Sequence, residues 1–205
     1  MHRIPAAFLI ACVAVLHGIS AFAAVPSAAL STTPGCLAYC PQGDIVMTVI
    51  VRDLSNFLVS NALVRIDFSG CPGIKACAPD GTESYTIGPG PVFTKPTGTN
   101  GEVTFPIRAG GVCQGNPTII ADGILLKRYM GAASSDQGGN LVVDNADEVI
   151  LASKVGSTDV TGDLDCDHVV TTADQAMLRT HAGHACPGVV PVAPRTWGGL
   201  KLIYR

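Results

Sequence analysis

Aromatic residues make up only 5% of this 205-residue chain, and charged residues only 14%. So few rings do not furnish an extended helical core. The 23 glycines and 14 prolines favour loop-rich β-structure instead. The net charge is −3 with no basic patch, which argues against nucleic acid as a partner. Gly-x-Ser-x-Gly, His-Glu-x-x-His and phosphate-loop patterns are missing. Asp44, Asp53, Asp67, Asp80, Glu83, Glu102 and Asp122 have no sequence context that nominates an acid/base pair. The expectation is a protein that acts by binding and is not an enzyme.

Only one long apolar run is present, Ile4 to Ile19. It follows the basic start Met1-His2-Arg3 and leads to Ala21-Phe22-Ala23, a small-x-small pattern. This predicts a secretory signal over 1–24 and a mature chain starting near Ala24 or Val25. The run is short for a membrane span and is broken by His17 and Gly18, so an anchor ranks below cleavage. The predicted location is secreted, extracellular or at the cell surface, with the cleaved signal as the sole membrane contact. Seven cysteines remain after the signal: Cys36, Cys40, Cys71, Cys77, Cys113, Cys166 and Cys186. Export predicts disulfides, and the odd count leaves at least one thiol free or paired between molecules. Cys166–Cys186 is one pairing the sequence allows.

Residues 25–43, rich in Ser, Thr, Pro, Gly and Ala, read as a linker. From 44 to 130 short apolar runs alternate with turns. Ile45–Val51 and Ala62–Phe68 are strand-like, Glu102–Ile107 follows the turn Gly98-Thr99-Asn100-Gly101, and Thr118–Leu126 reads as a hairpin about Asp122-Gly123. This spacing predicts an antiparallel sandwich. Val51-Arg52-Asp53 with Ala62-Leu63-Val64, and Thr97–Phe105, resemble bacterial immunoglobulin-like domains of surface proteins. That resemblance implies a fold and no activity. The predicted class is thus mainly β plus a small α part.

After Met130 the texture changes. Nine acidic residues and one basic residue, Lys154, lie between Asp136 and Asp174. Such a block repels itself unless cations sit in it. Residues 136–156 superpose on 163–183 at an offset of 27, so that Asp136 matches Asp163, Val142-Val143 matches Val169-Val170, Ala146-Asp147 matches Ala173-Asp174, and Gly156 matches Gly183. The second unit offers Asp163, Asp165, Asp167, Thr171 and Asp174 at loop positions 1, 3, 5, 9 and 12, with the Val169 carbonyl at position 7. The first offers Asp136, Asn140, the Val142 carbonyl, Asp144 and Asp147, with Gly138 at position 3. This is the oxygen spacing of an EF-hand loop, suited to a hard cation that takes six to eight oxygens. Two Ca2+ sites are predicted, the second stronger because Gly138 brings no ligand. Position 8, Val143 and Val170, is expected in a small core. Position 6, ordinarily a left-handed Gly, is Leu141 in one loop and His168 in the other. Helices are predicted over Ala146–Val155 and Ala173–Ala182, with Val149, Ile150, Leu151, Ala176, Met177 and Leu178 facing a core and Gly156 and Gly183 as C-terminal caps.

A calcium loop followed by one helix, given twice over about residues 134–186, resembles a dockerin module. The resemblance implies calcium-dependent folding of 131–186 and docking onto a cohesin-like receptor, often in polysaccharide-degrading or cell-surface assemblies. The candidate contact positions are Asn145, Glu148 and Ser153 on one helix and Thr172, Gln175 and Thr180 on the other. A rival metal reading takes Cys166, His168, His181, His184 and Cys186 as zinc ligands. A calcium loop would point Cys166 and His168 outward, so calcium is preferred. The tail 187–205, with Trp197, reads either as a packed element or as an anchoring segment. Three function classes stay open: a calcium-dependent adaptor, a structural surface protein that calcium only rigidifies, and a small carbohydrate binder or hydrolase carrying a dockerin.

Overall fold

A computed structural model describes residues 24–188. The segment before Ala24, where the sequence predicts a secretory signal, and the tail from residue 189, including Trp197, lie outside the described residues. The chain is mainly β with two small helices, and its sheets are antiparallel apart from one two-stranded parallel pair.

The largest sheet has five strands. β3 (Leu63–Asp67) lies at its centre, flanked by β9 (Thr118–Ala121) and β6 (Val92–Pro96), with β10 (Ile124–Arg128) and β5 (Thr86–Gly88) at the edges. β2 (Met47–Ile50) pairs separately with β7 (Glu102–Phe105). Alternation decides which side faces inward: Val64 and Ile66 are buried while Leu63 and Arg65 are exposed. The hairpin expected at Asp122-Gly123 joins β9 to β10, with φ of 46° and 83° as a tight two-residue turn requires. Val49, Val103 and Phe105 of the smaller pair share one core with Ile66, Phe93 and Ile119 of the larger sheet. The scarce aromatics are concentrated there. Tyr39, Phe68, Phe93 and Tyr85 meet edge to face in succession, with ring centroids 5.6, 5.9 and 5.4 Å apart.

Residues 25–43 do not behave as a loose linker. The Ser27 N–H donates to the Arg52 carbonyl at 2.7 Å, and Thr32 and Ile50 exchange backbone bonds at 2.8 and 2.9 Å. β1 (Ala38–Tyr39) pairs in parallel with β11 (Ala133–Ser134), and Leu37, Tyr39 and Cys40 are fully buried. The segment's Ser/Thr/Pro/Gly average conceals this apolar stretch, whose burial repays the cost of ordering it. Two short pairs, β4 (Lys75–Ala76) with β8 (Ala109–Gly110) and β1 with β11, lie next to the C-terminal part.

Three disulfides form: Cys36–Cys166, Cys71–Cys113 and Cys77–Cys186. The suggested Cys166–Cys186 pairing is therefore corrected, since each of these cysteines reaches back to the N-terminal half. Two of the bridges fasten residues 131–186 to the β part. Cys40 is the free cysteine among the described residues, and it is buried. No helix of the described residues is long and apolar enough to cross a membrane.

Candidate functional site

The two acidic units fold as near copies. α1 (Asn145–Ala152) follows the first loop and α2 (Thr172–Thr180) the second. Each helix begins with a capping box. Asp144 and Thr171 are the N-caps, and Asp147 and Asp174, three residues on, return a carboxylate oxygen to the cap N–H at 2.7 Å in both. The helices end earlier than the sequence predicts, with Ser153 and His181 as their C-caps, so Gly156 and Gly183 are not the caps. The two glycines lie beyond the caps with φ of 86° and 83°, and their N–H groups donate across the repeat to the Val170 and Val143 carbonyls.

The position-12 carboxylate also sets which helix face turns inward. Asp147 with Leu151, and Asp174 with Leu178, are the buried residues of their helices, four apart on one face. This corrects part of the expected core. Val149 is 70% exposed and Ala176 is exposed, because each lies two residues beyond the loop-facing Asp and so on the far side of the helix. Ile150 and Met177 are half-buried. Val143 and Val170 enter the small core with Leu151, Leu164, Leu178, Ala133 and Cys40. Their backbones pair across the repeat: Val143 exchanges bonds with Gly183 and His184, and Val170 with Gly156 and Ser157, all at 2.8–2.9 Å.

In the second loop Asp163, Asp165 and Asp174 each bring a carboxylate oxygen to within 4.8 Å of the others. The Asp163 carboxylate accepts from the N–H groups of Asp167 at 3.2 Å and His168 at 3.0 Å. Asp174 accepts from Leu164 at 2.7 Å as well as from its cap. Asp167 is exposed and accepts from the N–H of Val169 at 2.9 Å. Thr171 accepts from Ala173 N–H at 3.0 Å. Desolvation within the loop, with the charge of Asp174 adding, raises the carboxyl of the exposed Asp165 above its ordinary value. Three carboxylates drawn together in this way suit a hard cation that supplies the missing positive charge.

The first loop has the same backbone and fewer converging acids. Asp136 is fully buried and accepts from Gly139, Asn140 and Leu141 at 2.7, 3.2 and 2.7 Å. Burial pushes its carboxyl up to about 6, against the pull of those donors and with the charge of Asp147 adding. Asp147 accepts from Gly138 N–H at 2.8 Å. Asp144 lies at the exposed cap, where the Asn140 amide donates to it at 3.3 Å, and Val142 is buried and bridges to Ala185. No trio of first-loop carboxylates converges among the described residues.

Of the candidate contact positions, Asn145, Ser153, Thr172 and Thr180 are exposed, and Glu148 and Gln175 are half-covered. Glu148 is engaged across the helix pair by Arg179, whose Nε donates to it at 2.7 Å. Ser153 and Thr180 return their hydroxyls to the Ile150 and Met177 carbonyls at 2.6 and 2.7 Å.

The rival zinc set does not assemble as written, because Cys166 and Cys186 are in separate disulfides. Its His181 and His184 instead meet Cys40 and Asp44. The sequence singles out the two histidines but not Cys40 and Asp44, which lie 137 to 144 residues away in the chain and are brought to them only by the fold. The signal for the missing half is the odd cysteine. Comparisons with protein-family models, with curated proteins and with solved structures find no match.

Proposed function

We propose that this is an exported calcium-binding protein whose residues 131–186 form a dockerin-like module that docks onto a cohesin-like receptor. The observation that carries the calcium reading is the convergence of Asp163, Asp165 and Asp174 in a loop whose acids otherwise repel. The second site fills first, because the first loop gathers fewer carboxylates. The β part serves as an immunoglobulin-like sandwich that spaces or supports the module, and the protein works by binding and not by catalysis. Its setting is an extracellular or cell-surface assembly, with polysaccharide degradation as the associated process. Three disulfides support an oxidising destination.

Titration calorimetry of the mature chain with Ca2+ tests the metal. Heat of binding and a higher melting temperature are expected, both lost in Asp163→Ala. The absence of both heat and shift would sink the reading. Immobilised protein exposed to the secreted proteins of its source, with calcium and then with chelator, tests the docking. A partner held only with calcium, and lost on substituting Asn145, Ser153, Thr172 and Thr180, is the expected result.

A second reading has one observation in its favour. Cys36–Cys166 and Cys77–Cys186 bind the module to the β part, so calcium could serve only to stiffen a single structural unit. Retention that ignores calcium, or no retention, favours this alternative.

A further inference from the structure

Cys40 and Asp44 lie on one turn near the N-terminal end of the described chain, where the Cys40 carbonyl accepts from Gly43 at 2.9 Å. His181 is the C-cap of α2, and His184 follows on a turn closed by its N–H to the His181 carbonyl at 2.9 Å. The backbone brings these two turns together. The Nδ1 atoms of His181 and His184 are 3.4 Å apart. Asp44 Oδ2 is 2.8 Å from the first and 3.2 Å from the second. Cys40 Sγ is 3.6 Å from His184 Nδ1. One donor atom from each residue lies within 4.8 Å of every other.

Ordinary hydrogen bonding accounts poorly for this arrangement. Two imidazole nitrogens face each other, and the His184 nitrogen also meets a thiol and a carboxylate. One nitrogen carries at most one proton. A nucleophilic Cys–His–Asp relay fails for the same reason. There the imidazole takes the thiol proton on one nitrogen and is oriented through the other, whereas His184 presents Nδ1 to both Cys40 and Asp44. A tetrahedral zinc ion accounts for it directly. Bonds of roughly 2.0–2.3 Å to N, O and S place neighbouring ligand atoms roughly 3.3–3.7 Å apart. Three of the four separations fall at or close to that range, and the Asp44–His181 contact is shorter.

We infer that Cys40, Asp44, His181 and His184 form a closed, four-ligand site for a zinc-like divalent cation, separate from the calcium loops. The charges balance: a thiolate and a carboxylate neutralise the divalent ion, and two neutral imidazoles complete the set. Binding releases the Cys40 proton to solvent. The sulfur and nitrogen donors select a softer ion than calcium, while the Asp163 loop offers oxygen alone. The ion ties the 40–44 turn to the end of α2, beside the Cys36–Cys166 and Cys77–Cys186 links. It also gives a reason for one buried cysteine to stay reduced where the other six pair.

The test uses the mature, disulfide-intact chain, stripped of metal and then saturated with Ca2+. Co2+ is added as the spectroscopic probe, followed by Zn2+. Expected are one equivalent of tetrahedral cobalt, a thiolate-to-cobalt charge-transfer band, and displacement by zinc. Cys40→Ser and His184→Ala should each abolish the band and weaken zinc binding by more than the roughly 10–100-fold typical of losing an outer partner of a ligand. His184 is half-exposed, so its variant decides the matter if Cys40→Ser does not fold. Absence of zinc binding, cobalt binding without the thiolate band, or a band that survives in His184→Ala would overturn the inference. The calcium heat recorded on the same protein reports on the Asp163 loop separately.

Discussion

Leu141 and His168 hold the same left-handed backbone, with φ of 69° and 75°, at the sixth position of their loops. Gly139 and Cys166, at position 4, match as well, with φ of 68° and 66°. The repeat thus extends to backbone conformations that side chains oppose. A residue with a Cβ in this region costs roughly 1–2 kcal/mol. His168→Gly should therefore raise stability by about 1 kcal/mol in chelator, after allowing for the added freedom of the unfolded chain. Leu141→Gly should gain less, because Leu141 is half-buried against Gly110. Urea unfolding of both variants checks the order, and a larger gain at Leu141 would contradict it.

Asp136 and Asp165 should separate folding from metal binding. Asp136→Ala removes the acceptor of three N–H groups around a fully buried carboxylate. It should cost at least about 3 kcal/mol of metal-free stability. Asp165 is exposed and accepts one long bond, from Asp167 at 3.3 Å. Asp165→Ala should leave chelator stability within about 0.5 kcal/mol of the parent and still weaken calcium binding. Unfolding in chelator and calorimetry in calcium provide the two readouts. Equal stability losses would show that the Asp136 bonds do not hold the first loop.

Much of this was legible in the sequence. The apolar run Ile45–Val51, the alternation in Ala62–Phe68 and the turn before Glu102 mark β2, β3 and β7, Asp122-Gly123 marks the hairpin, and the 27-residue offset places the loops and the helices that follow them, though not where the helices end. What stayed hidden depends on contacts between distant residues. The facing of Val149 and Ala176 does not follow from the apolar run alone, because it depends on Asp147 and Asp174 turning into their loops. Residues 36–40 were obscured by composition, since Leu37 and Tyr39 sit among small polar residues. The disulfides have sequence separations of 130, 42 and 109, and such pairings follow only from the folded topology.

Thiol counting under denaturing conditions, without reductant and with a strong chelator, should find one reactive cysteine per mature chain, and peptide mapping should place it at Cys40. Without denaturant its labelling should be slow, because Cys40 is fully buried. The Cys36→Ser/Cys166→Ser double variant removes a link that closes a very long loop and should lose roughly 3–5 kcal/mol. Labelling of most cysteines would refute the pairing.

Gly110 offers the sharpest test of how the β part supports the first loop. It lies in β8, paired with Lys75 of β4, and directly faces Asp136. A Cβ at position 110 would fall 1.9 Å from Asp136 Oδ2 and 3.2 Å from Leu141 Cδ2. Neither neighbour yields easily. Asp136 is fixed through three N–H bonds, and the adjacent Gly111 N–H donates to the Asp136 carbonyl at 2.8 Å. The Gly111 carbonyl in turn accepts from the Tyr39 hydroxyl at 2.9 Å. The methyl must therefore displace a buried carboxylate or part β8 from β4, and Gly110→Ala should cost at least about 2 kcal/mol. The damage should stay local. Calcium binding by the second loop should persist at nearly the parent affinity, because the added methyl meets Asp136 and Leu141 of the first loop, while the second loop's converging carboxylates are Asp163, Asp165 and Asp174, whereas a first-loop site should weaken. If Gly110→Ala instead matches the parent in stability, the close approach of β8 to Asp136 is not what holds the first loop in place.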